Sequence, residues 1–285
     1  MKKYSIIAFI GANMLLGCKE ISPAIDFTSK KEVGDTTYIQ TTVPQAQPKT
    51  VYLEEFTGVQ CINCPNGHRA IQGFEDLYGE RVAAVGVHSG ELSVPYPGSQ
   101  DFQTVEGDNI QTNIYNEIAA QPSVGVDRRK FAGQFKREII FLNTWAGIVR
   151  YQLTQANPCN LTLTSKFDAA TNKIKVQAKV EYTKDIANQQ KISVMLTESG
   201  IKEKQLLPSG AIDPNYSHKH VLRKMFTSWD GLLLPDVAVR GRVFVRNFEL
   251  TPDAKWKLDS CHIVAFVHEG TDSIRVEQAA QVKLR

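Results

Sequence analysis

The sequence predicts an α/β domain followed by an all-β domain, behind an exported leader. Three observations carry that reading. Between residues 51 and 156, short apolar strands alternate with stretches whose apolar residues recur at helical spacing. After Pro158 the apolar period changes to two and stays so to the end. Ahead of both, an apolar run from Ile6 to Leu16 comes after Lys2 and Lys3 and ends at Cys18.

The leader is residues 1–17. Its apolar run is shorter than the roughly 20 residues a membrane-spanning helix needs. The next residues, Lys19, Glu20 and Ser22 among them, are polar, and there is no alanine-type cleavage site. Leu15-Leu16-Gly17-Cys18 resembles the bacterial lipobox, which implies cleavage before Cys18 and acylation, palmitate included, of its thiol. Membrane attachment is therefore expected through lipid on Cys18, since stable anchoring takes more than one acyl chain. The formal charge of +3 falls to +1 once Lys2 and Lys3 leave with the leader. A balance that close to zero argues against a nucleic-acid partner. Residues 18–50, rich in Thr, Gln, Lys and Pro, read as a tether, with one candidate strand at 36–43.

The α/β part is read over residues 51–156. Val51–Phe56 is the first strand; Ala70, Ile71, Phe74, Leu77 and Tyr78 mark a helix closed by Gly79. Val82–Val87, almost wholly apolar, suits a strand buried on both faces. Ile110, Ile114 and Ile118 mark a second helix. Ser123–Val126 is a strand, expected to form a hairpin with 130–135. Arg128, Arg129 and Lys130 are read as a solvated charge cluster at its turn. Ile139, Leu142, Ala146, Val149 and Leu153 mark a third helix, ended by Asn157-Pro158.

The all-β part is read over residues 157–285. Alternating strands are expected near 161–163, 174–182, 192–196, 242–248, 263–267 and 273–282, separated by turn signals. That number of short strands reads as an immunoglobulin-like sandwich. Residues 201–236 have no clear pattern.

Cys61-Ile62-Asn63-Cys64-Pro65 comes after the first strand and opens the first helix. A helix N-terminus carries partial positive charge and free N–H groups, which stabilise a thiolate. This makes Cys61 the expected attacking thiol and Cys64, one turn on, the resolving one. Pro65 fits the first helical turn. His directly after Cys64 would signal haem attachment, but Pro65 stands there. Zinc or copper on Cys61, Cys64 and His68 or His88 lacks a second C-x-x-C to complete it. His218 and His220 would share a strand face, more simply as exposed polar residues than as a metal pair. No metal or cofactor is expected. Cys159 and Cys261 are either a bridge across the sandwich or two buried thiols.

The Cys61–Cys64 segment resembles the thioredoxin superfamily. Glu55 stands six residues before Cys61, where that family holds a buried acid that moves protons at the second cysteine. Phe56 stands five before it, and Pro122 falls where the family has a cis proline facing the disulfide. Gln60 replaces the aromatic that usually precedes the first cysteine, and Ile62-Asn63 replaces Gly-Pro.

Longer stretches are similar to the outer membrane protein 28-type lipoproteins. They are Glu54–Gly58 with Cys61–Pro65, Gly67 and His68; Tyr216–Arg223; and Cys261–Val267 running to Gln278-Ala279-Ala280. The resemblance implies a thioredoxin-like domain, an immunoglobulin-like domain and attachment to the outer membrane. Two functions stay open: thiol–disulfide exchange on envelope or surface proteins, or a non-catalytic module that binds a protein or glycan and carries a structural disulfide.

Overall fold

Strand β1, Thr36–Ile39, pairs antiparallel with a strand more than 200 residues later, Thr36 opposite Val245. This is a computed structural model of the chain, and it describes residues 34–270 and 273–284. The leader and Cys18 lie outside the described residues. The stretch read as tether is in part integral to the fold. Besides β1, Lys49 is buried, with its ammonium 3.2 Å from the Asp127 carboxylate and donating to the carbonyls of Val276 and Glu277.

Strand β2 is Val51–Thr57, helix α1 Cys64–Tyr78 and strand β3 Val82–His88. Pro65 sits in the first turn of α1, and Gly79 ends the helix with φ of 55°, a left-handed value that costs glycine little. β2 and β3 are parallel, Val51 opposite Val82. All seven residues of each are buried, as the apolar run predicts for β3. Helix α2, Val105–Asn109, starts on Thr104, whose hydroxyl accepts from the Gly107 N–H, and passes into one π-turn at Ile110–Ile114. The helix expected through Ile118 stops short because Asn116 and Glu117 take positive φ.

Strand β4, Ser123–Val126, lies antiparallel to β2. The hairpin partner expected at 130–135 is instead β5, Glu138–Ile139, with Val124 opposite Ile139. Asp127 and Arg128 turn the chain with φ near 50°. Nor is Arg128 part of a solvated cluster: it is fully buried and bonds both oxygens of Glu54 at 2.7 and 3.0 Å. Helix α3 is Leu142–Leu153.

The remaining strands are β6 (Cys159–Asp168), β7 (Lys173–Tyr182), β8 (Gln190–Glu198), β9 (Ile201–Leu206), β10 (Ile212–His218), β11 (Val221–Met225), β12 (Leu232–Leu234), β13 (Arg242–Leu250), β14 (Cys261–Glu269) and β15 (Val276–Lys283). The stretch without a clear sequence pattern therefore holds a hairpin and two short strands.

Among the described residues, β1, β13, β7 and β6 form a four-stranded sheet. A nine-stranded sheet runs β15, β14, β8, β11, β3, β2, β4, β5, with β12 beside β8. Strands from before and after residue 157 thus share one sheet, joined where Val221 of β11 meets Gly86 of β3. The chain is mixed α/β, with most of its regular structure in sheets.

The main apolar cores lie on the faces of these sheets. One is between the two sheets, with Val176, Ala178 and Val180 of β7 against Val194, Leu196 and Ile263. A second packs Ile71 and Phe74 of α1 and Trp145 and Val149 of α3 on Leu53, Ala84 and Val126. On the other side of β2 and β3, Tyr52, Phe56 and Val85 pack with Ile110, Met195 and Phe266. No helix of the described residues is long and apolar enough to cross a membrane.

Candidate functional site

β2 delivers Glu54, Glu55, Phe56 and Thr57 to a loop, residues 58–63, that leads into α1. Gly58 belongs there because a side chain would strike the backbone of Leu92 and Ser93. Gln60 holds the loop to that neighbour: its N–H donates to Leu92 at 2.9 Å and its side-chain amide to Val94 at 2.8 Å. Gln60, the departure from the thioredoxin pattern, is thus a polar pin.

Cys61 and Cys64 form a disulfide, with Cα atoms 5.3 Å apart. The helix begins at Cys64, not at Cys61, which sits in the turn ahead of it. Both cysteines are buried: Cys61 is 2% exposed and Cys64 fully buried. The cover is the β9–β10 hairpin. The Gln205 amide donates to the carbonyls of Cys61 and Gly58 at 3.1 and 3.2 Å, and the Leu206 N–H donates to Val59 at 2.9 Å.

Three elements converge on Gly67, one turn after Cys64. A Cβ there would stand 2.5 Å from Glu55 Oε1 and 2.9 Å from Cβ of Pro122. The Gln121–Pro122 bond is cis. Glu55 is buried, and burial pushes its carboxyl well above the usual carboxylate range. Its Oε1 has no hydrogen-bond partner. The adjacent Glu54 is treated in the opposite way. Arg128, Tyr52 and Tyr115 all donate to it. Alternation along the strand sends the two carboxylates to opposite faces, one saturated with donors and the other with its Oε1 unpartnered.

His68 links Glu55 to the hairpin. Its Nε2 is 3.9 Å from Glu55 Oε1 and 2.8 Å from the Thr57 hydroxyl, and its Nδ1 is 2.8 Å from the Tyr216 hydroxyl. Burial, with His218 and His220 nearby, lowers its pKa to about 3. The short approach to Glu55 is therefore not an ion pair at neutral pH. His218, 1% exposed at the end of β10, stacks edge-on with Tyr216, Phe102 and His88, with ring centres 4.9–6.0 Å apart. Burial lowers His218 to about 4 and His88 well below its ordinary value. His218 and His220 do not share an exposed face. His220 leaves the strand with φ of 55° and meets Glu75 at 3.1 Å. No group of three or more His, Cys, Asp or Glu among the described residues is placed to hold a metal ion.

The bridge considered for Cys159 and Cys261 is not formed; both are buried free thiols. Cys159 lies within the field of Glu277, next to Val276, which pairs with His268. Cys261 begins the same strand β14, seven residues from His268, about 23 Å at 3.3 Å per residue. A disulfide needs Cα atoms within about 7 Å. Burial raises both thiols, that of Cys261 to about 12.

Gln205 is a site residue that motif reading does not single out, while Gly67, Tyr216 and His218 enter the sequence reading without a place at the disulfide. Pro208-Ser209-Gly210 was the available signal for the hairpin, since Gly210 takes φ of 84° at its turn.

The structure resembles HBP35 of Porphyromonas gingivalis, with a TM-score of 0.62, 20% identity, and coverage of 85% of this chain and 77% of that one. It also resembles a crystal structure of an Agrobacterium tumefaciens protein, with a TM-score of 0.51, 12% identity, and coverage of 84% and 96%. At such identities the likeness is one of fold. A domain of the outer membrane lipoprotein Omp28 from Porphyromonas gingivalis aligns at a TM-score of 0.31, 19% identity, over 45% of this chain and 89% of that one. No curated protein sequence matches. The family described as outer membrane protein Omp28 matches residues 109–285, more than half of the chain. The chain is therefore a member of the outer membrane protein Omp28 family, and its place is the outer membrane of the cell envelope.

Proposed function

We propose that the chain is a lipoprotein anchored through Cys18, with a thioredoxin-like domain over 51–156 and an immunoglobulin-like domain over 157–285. Its Cys61–Cys64 pair exchanges with thiols or disulfides of envelope or surface proteins. The observation that carries this reading is the convergence of Glu55, Pro122 and the first turn of α1 at Gly67, three residues after Cys64. A structural disulfide has no need of an unpartnered buried acid, which costs stability.

The exchange balances in atoms and electrons. A thiolate of the partner attacks the Cys61 sulfur, the Cys61–Cys64 bond breaks, and Cys64 leaves as thiolate. Glu55, biased by burial to its protonated form, supplies a proton to Cys64. The partner's second thiolate then attacks the mixed disulfide and releases Cys61. The partner is oxidised by two electrons and the pair reduced by two; the reverse sequence reduces a partner disulfide. The β9–β10 hairpin must move for either direction.

The second reading, a binding module with a structural disulfide, is favoured by the burial of Cys61 beneath Gln205. The reduction potential separates the two. A value below about −300 mV marks a bond that envelope reductants do not open. A higher value, with insulin reduction abolished by Cys61→Ser and partners trapped by Cys64→Ser, supports exchange.

A further inference from the structure

Away from the disulfide, the loop after β4 and the segment leading into β15 line a solvent-open cleft of about 330 Å³. Among the described residues its lining is Arg129, Lys130, Arg137, Ser273 and Arg275, four cations and no carboxylate. The cations come from segments more than 130 residues apart in the sequence, so the fold, not a local basic run, gathers them. Carboxylates stand beside the lining: Glu277 lies 3.9 Å from Arg129 and 3.5 Å from Arg275, and Glu269 pairs with Arg275 at 2.5 Å. Arg129 and Arg275 thus share Glu277, and the described side chains that line the cleft with charge are all cationic.

The Nε–H groups of Arg129 and Arg275 are buried and have no partner. A buried guanidinium donor left unpaired is costly, and so is holding like charges together. An anion with several acceptor oxygens removes both costs, because guanidinium groups match phosphate oxygens two at a time. A phosphate alone is far smaller than the cleft, so the fitting ligand carries its phosphate on a larger polar group.

We infer that this cleft is a binding site for a phosphate monoester, separate from the Cys61–Cys64 site. Such a group occurs on soluble sugar phosphates and on phosphorylated lipid headgroups, and the chemistry of recognition is shared.

The test uses the full chain in neutral detergent micelles. One arm titrates glucose 1-phosphate, with glucose as control. The other adds phosphatidic acid to the micelles, with phosphatidylcholine as control. Binding in either arm, weakened at least tenfold in Arg129→Gln/Lys130→Gln and separately in Arg137→Gln, supports the site, and the arm that binds identifies the source. Because the variants alter partly exposed side chains, an unchanged circular dichroism spectrum and unchanged melting midpoint are expected. No binding in either arm overturns the inference. So does binding that the variants leave unchanged, since it would then be non-specific attraction to the wider surface.

Discussion

A Cβ on Gly67 would stand 2.5 Å from the Glu55 carboxylate oxygen, a separation that real Cβ atoms do not tolerate. The glycine is therefore part of the space that admits the acid. The position one turn after Cys64 and the position six before Cys61 are fixed by each other.

Gly67→Ala is expected to destabilise the fold by about 1–3 kcal/mol, the usual range for overpacking. Glu55→Ala on the same background should recover part of that loss, since it vacates the space the new methyl needs. Urea midpoints of the two single variants and the double variant give the coupling directly. Strictly additive effects would contradict the contact.

Glu55 gives a signed pH dependence. Its folded pKa is raised above the unfolded value of about 4.5, so its favourable contribution is present below that value. It is lost as the pH rises through the folded pKa, at about 1.4 kcal/mol per pH unit. Glu55→Gln is therefore expected to be more stable relative to the wild type at pH 8 than at pH 4. Exchange with dithiol substrates, by contrast, should slow. Denaturation at the two pH values and single-turnover kinetics check the two halves independently.

His218 titrates with the opposite sign. Its folded pKa of about 4 lies below the ordinary 6.5. The unfolded chain thus takes up the proton first, and stability falls as the pH drops from about 6.5 towards 4. Between pH 7 and pH 5 this group alone should cost about 2 kcal/mol. His218→Phe keeps a ring among Phe102, Tyr216 and His88 and removes the proton site. The stability difference between the variant and the wild type should widen in the variant's favour by that amount at pH 5.

The cover over the disulfide rests on Gln205. Gln205→Ala removes two bonds to the loop carbonyls of Gly58 and Cys61 and is expected to cost about 1–2 kcal/mol. Reduction of the disulfide by dithiothreitol in the native state should become severalfold faster. An unchanged rate would mean that the hairpin does not control access.

Where apolar period and burial coincide, the sequence is easy to read. β3 and β7 were legible because one is buried on both faces and the other alternates strictly, buried at every second residue. The C-x-x-C was legible from its spacing along the chain, and Glu55 and Pro122 from the thioredoxin resemblance that it carries. What spacing could not show is the cover. β9 and β10 carry Lys202, Glu203, Lys204, Asp213 and Asn215, because much of the hairpin is exposed, so their apolar signal is weak. Arg128 misled for a related reason. A basic run reads as solvated, and only the fold reveals that Glu54, Tyr52 and Phe266 enclose its guanidinium.

The Gln205–Cys61 contact joins residues 144 positions apart. A chain delivered amino end first presents both cysteines well before their lid exists. At synthesis rates of 5–20 residues per second that head start lasts about 7–30 s. In that interval the thiols are open to whatever oxidant or foreign thiol the compartment supplies. Once residues 201–218 have arrived and docked, the chemistry is closed until the hairpin lifts. The disulfide is thus easier to reach while the chain is being made than in the finished fold.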